Sequence, residues 1–107
     1  PATPDQKPPS IHAAYWPTRD IKAGDELTFK VRSFSVAPDE GQEEWDFGDG
    51  TPPVCVQSDG NAKALAPDGY AITQHTYQAA GHYLVKVSRT NRRGETATAR
   101  LEIVVRP

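Results

Sequence analysis

The chain has 107 residues, 36% of them hydrophobic and 24% charged, with a formal net charge of −2; that length can bury roughly two thirds of its unfolded surface around a single core. The balance excludes both the charge excess of a disordered tail and the basic excess that a phosphate backbone demands, so nucleic acid is not an expected partner. No apolar run approaches the length that spans a bilayer, and membrane insertion is not expected either.

The first ten residues, PATPDQKPPS, hold four prolines and no large apolar side chain. They read as an extended proline-rich linker, which leaves residues 11–107 as one domain. An opening on Pro1 with no charged-then-apolar leader reads as a mature or excised piece. A first strand is expected to end at Tyr15-Trp16, before Pro17. In residues 26–33, ELTFKVRS, Leu27, Phe29 and Val31 alternate with Thr28, Lys30 and Arg32, the pattern of a half-buried strand. The same period puts Trp45 and Phe47 on one face.

Asp49-Gly50 then reads as a tight hairpin, with Gly48 bending the backbone before it and Pro52-Pro53 ending the ladder. A long excursion through residues 52–74 follows, with no assigned role. In HYLVKVS, residues 82–88, Tyr83, Val85 and Val87 face inward and Leu84 breaches the pattern. In residues 96–105, Ala97, Ala99, Leu101, Ile103 and Val105 alternate with Thr96, Thr98, Arg100, Glu102 and Val104. Breaks at Gly24, Gly41, Gly50, Gly60, Gly69, Gly81 and Gly94 leave room for strands and scarcely for helices.

These elements predict an all-β, immunoglobulin-like two-sheet antiparallel sandwich of about seven strands. Trp45 takes the place of the central indole of such a core. Tyr83, two residues before the inward Val85, has the spacing of a tyrosine corner, whose hydroxyl bonds to upstream backbone. Val85 stands where antibody domains carry a cysteine. The single cysteine, Cys55, cannot form an internal disulfide, so packing alone must hold the sheets together.

WDFGDGT at 45–51, HTY at 75–77, GHYLVKV at 81–87 and the NRRG turn at 91–94 resemble, in that order, the signatures of the polycystic kidney disease (PKD) domain. The resemblance covers about residues 11–106. It implies an immunoglobulin-like module from the extracellular part of a large protein, a class that includes bacterial secreted proteases, collagenases and polysaccharide hydrolases. A secreted or cell-surface location follows, with neighbouring domains of the same polypeptide as partners. Two departures stand out: the excursion between GDGT and HTY, and the reduction of an aspartate-rich segment before the tryptophan to SVAPDEGQEE.

Chemistry would have to come from the acids, the histidines or Cys55. Asp39, Glu40, Glu43, Glu44, Asp46 and Asp49 fall within eleven residues, and calcium takes six to eight oxygens from such side chains. The spacing of an EF-hand is absent. The resemblance transfers only Asp39 as a weak calcium candidate, so no cofactor is expected and the acids read as solvating turns and an exposed strand face. Cys55 with His75 or His82 lacks any marked oxyanion hole and reads as a small semi-buried residue, so no catalytic residues are assigned. His75 is expected to bond neighbouring backbone. His82 alternates outward, and spacing reveals no partner for it or for His12.

The aromatics outside the alternating core, Tyr15, Trp16 and Tyr70, are the candidate ligand-binding residues, since exposed aromatics make platforms for sugar rings or fibrous proteins. Two functional classes therefore fit the sequence. One is a non-catalytic structural or spacer module of a larger secreted or surface protein. The other is an accessory module that holds an attached hydrolase on polysaccharide or collagen-like material.

Overall fold

β-Branched and aromatic residues at alternate positions favour a pleated backbone with one buried face, and the strands fall where that alternation is longest. The computed structural model describes residues 8–36, 40–58 and 70–107. Its strands are β1 (Ser10–Trp16), β2 (Glu26–Phe34), β3 (Glu43–Asp46), β4 (Val54–Val56), β5 (Ala71–Thr76), β6 (Gly81–Thr90) and β7 (Thr96–Val105). No helix occurs among the described residues. The strands form two antiparallel sheets, ordered β1-β2-β5 and β4-β3-β6-β7, the sandwich expected from the sequence.

The inward faces meet in one aromatic-rich core. Leu27, Phe29 and Val31 of β2 oppose Trp45, Phe47, Val85, Val87, Ile103 and Val105, all buried. Trp45 and Phe47 lie parallel with centroids 5.7 Å apart, and Phe29 meets them at 5.3 and 5.0 Å. Side chains of this size contribute about 1.5–3 kcal/mol each when fully buried, so nine of them supply more than a disulfide would, typically about 2–4 kcal/mol. Val85 stays at 1% exposure in the cysteine's place, and Cys55 is free. Cys55 is also exposed on β4, where a semi-buried position was expected: β4 alternates Val54 and Val56 inward, which turns the residue between them outward.

Outward positions in β6 and β7 follow the alternation closely. Leu84, the breach in the pattern, is 73% exposed. The segment after β1 rejoins the second sheet at its far edge: Lys22 bridges Arg106 in parallel, Ala23 N donates to Arg106 O at 3.0 Å and Arg106 N to Ile21 O at 2.7 Å.

Candidate functional site

The outer face of β1-β2-β5 is built by register. Trp16 pairs with Thr28, and Thr28 with Gln74; Ala14 pairs with Lys30, and Lys30 with Ile72; His12 pairs with Arg32. Because side chains alternate, these residues share the face turned away from the core. Trp16 is 72% exposed and Ile72 60%. The Trp16-Pro17 peptide bond is cis. Ala14, Tyr15, Trp16, Thr28 and Lys30 line an open groove of about 440 Å³. Trp16 and Lys30 border it beside the small side chains of Ala14 and Thr28.

The three aromatic candidates separate here. Trp16 stands free at one end of the face. Tyr70 lies further along it: His12 Nδ1 and the Tyr70 hydroxyl are 3.2 Å apart, Lys30 Nζ is 5.0 Å from the ring centroid, and the Arg32 guanidinium carbon is 5.8 Å from it. Thus His12 has a partner that spacing did not reveal. Tyr15 points the other way, tilted against Phe29 at 6.1 Å, with its hydroxyl 3.4 Å from the Glu102 carbonyl. It packs against the core.

The GDGT and HTY motifs meet each other. Residues 47–53 join β3 to β4; Gly48 and Gly50 carry the positive φ angles, +78° and +83°, and Asp49 does not. The tight Asp-Gly hairpin expected from the sequence is therefore a seven-residue loop, because Pro52 and Pro53 delay the return strand to Val54. Asp49 Oδ1 accepts from the Thr51 amide and hydroxyl, and Asp49 Oδ2 lies 2.7 Å from His75 Nε2. Burial pulls the Asp49 carboxyl upward, but the hydrogen bonds from Thr51 and His75 outweigh it and hold the carboxyl below its ordinary value. His75 stacks on Phe47, centroids 4.0 Å apart. Its partner is a carboxylate on another loop, where neighbouring backbone was expected, because the ring is clamped on Phe47 with Nε2 facing the GDGT loop.

Tyr77 is buried, donates to Phe47 O at 2.8 Å and stacks on Tyr83 at 4.2 Å; burial pushes its phenol well above the usual range. The Tyr83 hydroxyl donates to Ala79 O at 2.6 Å, the tyrosine corner the spacing predicts. These contacts position loops against the sandwich.

A third constellation was missed. Glu43 and Arg89 are fully buried and 3.1 Å apart. Glu43 also accepts from the Ser33 hydroxyl and from the Ser58 amide and hydroxyl, while Arg89 donates to Ser58 O and Glu40 O. Burial raises the Glu43 carboxyl, and the bonds from Ser33 and Ser58, helped by the Arg89 charge, more than reverse this and hold it below its ordinary value. The expectation that the acids solvate turns and an exposed strand face thus fails for Glu43, whose place two residues before inward Trp45 turns it into the core. The weak calcium candidate Asp39 lies outside the described residues. Among the described residues no three His, Cys, Asp or Glu side chains converge as a metal site would require. No described helix is long and apolar enough to cross a membrane.

The PKD domain family model matches residues 12–105. Among solved structures, a PKD domain of an M14-like peptidase from the Thermoplasmatales archaeon SCGC AB-540-F20 superposes with a TM-score of 0.66 at 16% identity, covering 95% of this chain and 99% of that one. The PKD1 domain of the Vibrio cholerae metalloprotease PrtV gives 0.64 at 18% identity over 94% and 100%. A structure of carbohydrate-binding modules from the β-sandwich superfamily, described as promiscuous in specificity, gives 0.69 at 20% identity over 95% of this chain and 36% of that one. At these identities the likeness is one of fold. No curated protein matches the chain in sequence.

Proposed function

The chain belongs to the PKD domain family, and on that premise we propose that it serves as a non-catalytic structural module, a spacer between neighbouring domains of a larger secreted or cell-surface polypeptide. The observation that carries this reading is where the motif side chains are spent. Asp49 binds His75, Tyr77 binds Phe47, Tyr83 binds Ala79, and Glu43 binds Arg89. These carboxylates, the histidine and the two tyrosines, which could have done acid-base work, are committed to holding loops and sheets in place. A spacer needs that rigidity and nothing more.

The outer face of β1-β2-β5 favours a second reading: an accessory module that holds an attached hydrolase on polysaccharide or collagen-like material through Trp16, with Tyr70 behind it. The resemblance in fold to carbohydrate-binding modules supports it. Pull-down of the 107-residue chain with insoluble polysaccharides and with collagen separates the two. A pure spacer is retained on none of them. Retention that Trp16→Ala abolishes would assign the accessory role instead.

Calcium gives a further test. With the Glu43 and Asp49 carboxylates engaged internally and Asp46 Oδ1 accepting from the Gly48 amide, added calcium is expected to leave the melting temperature unchanged. A rise of several degrees that Asp39→Ala removes would show binding linked to folding.

A further inference from the structure

Resting on the accessory reading, we propose that the outer face of β1-β2-β5 takes an acidic polysaccharide, a polymer of uronate sugars, with one ring on the Trp16 indole and its carboxylate at the Lys30 ammonium.

Trp16 is 72% exposed, an arrangement that forgoes about 25 cal/mol for each Å² of indole left in water. Ala14 and Thr28 beside it are small, and the groove they line with Trp16 and Lys30 is open. A pyranose has one apolar face of C–H groups that suits an aromatic platform. Its equatorial edge, where the C5 substituent of a hexuronate lies, then points along the face. Lys30 stands in that direction, one register row from Trp16.

Lys30 is also positioned. Its ammonium is 5.0 Å from the Tyr70 ring centroid, a cation–π contact that leaves the N–H donors available. Tyr70 is in turn fixed by His12 and flanked by Arg32. No carboxylate pairs with Lys30 among the described residues, so its charge is available to a ligand. An uncharged sugar would use the indole alone, whereas a uronate adds a charge-assisted hydrogen bond, roughly twice as strong as a neutral one.

The face also has a direction. Glu26, next in the outward alternation of β2, lies at the rim beyond Thr28, two rows from Lys30. It repels a carboxylate and accepts from hydroxyls, so the acid end of the sugar is set at Lys30. Lys30 is opposed by Glu26, and Arg32 on the same face is buried, an arrangement that would serve a phosphate backbone poorly, since that demands several cations in a row.

Affinity electrophoresis of the 107-residue chain through native gels holding polygalacturonate or neutral hydroxyethylcellulose tests this directly. Polygalacturonate is expected to retard the chain more strongly than the neutral polymer does. Trp16→Ala should abolish retardation by both, and Lys30→Gln should weaken the polygalacturonate response roughly two- to fivefold, to the neutral level. Lys86→Gln, an equal charge change on the other sheet, should leave it unchanged. Equal retardation by both polymers would overturn the uronate assignment while leaving the accessory reading standing. An equal loss from Lys86→Gln would overturn it too, by reducing the effect to net charge. Absence of retardation by either polymer would remove the accessory reading with it.

Discussion

Gly48 shows how much one position can demand. Its φ is +78°, and a Cβ there would sit 2.3 Å from Leu84 O and 3.2 Å from Leu84 N, both backbone atoms that cannot swing aside. Gly50 has a similar φ, +83°, with nothing within 4 Å of its missing Cβ. The same substitution should therefore cost different amounts. Gly50→Ala is expected to lose about 1–2 kcal/mol, the left-handed backbone penalty alone. Gly48→Ala should lose more than about 3 kcal/mol, because overpacking against backbone is added to that penalty. Urea denaturation of the two variants checks this, and equal losses would refute the steric account. The sequence marked both glycines as turn formers. That Gly48 also packs on Leu84 depends on the approach of the loop between β3 and β4 to β6, which no local pattern carries.

Among the elements, β7 was legible because its alternation runs over ten residues, and β6 because Tyr83, Val85 and Val87 keep the period through the single breach at Leu84. β5 was not. Its inward positions are Ala71, Thr73 and His75, small or polar, while Ile72 points outward, so its hydrophobic signal is weak and reversed. β4 has only three residues, too few for a period to show. What ties β5 to the loop before β4 is the Asp49–His75 contact, and its pH dependence follows from the Asp49 carboxyl. A carboxyl held below its ordinary value of 3.8 contributes stability that is present above the unfolded value and is lost as pH falls through the folded one. The chain is thus expected to lose stability on acidification below about pH 4. Asp49→Asn should be less stable near neutral pH and show a shallower loss in that acid window. Melting temperatures measured from pH 7 down to pH 2 decide it, and parallel curves for the two proteins would contradict it.

For the whole molecule, the buried network around Glu43 and Arg89 joins the two sheets through the Ser33 hydroxyl, which donates to Glu43. Ser33 belongs to β2 of the first sheet, Glu43 and Arg89 to β3 and β6 of the second, and Ser58 follows β4. Removing one charge strands the other in the core, at a cost of about 3–5 kcal/mol, against a total stability of about 5–15 kcal/mol for a domain. Arg89→Met should therefore be severely destabilised. Arg89→Met combined with Glu43→Gln should recover part of the loss, because no buried charge is then left unpaired. Guanidinium denaturation of both variants tests the coupling, and additive losses would refute it. The pair could have been found by carrying the period on: two residues before inward Trp45 is Glu43, two after inward Val87 is Arg89, and two after inward Val31 is Ser33. The sequence by itself determined the strands with long alternation, the sandwich they make and the family they belong to, because those rest on local periodicity and ordered motifs. Only the tertiary structure decided that Glu43 meets Arg89, that Asp49 meets His75, and that Trp16 and Lys30 border one groove while Tyr15 turns into the core. Those are matters of register and of packing between sheets, set by residues far apart in the chain that the alternation of one strand cannot bring together.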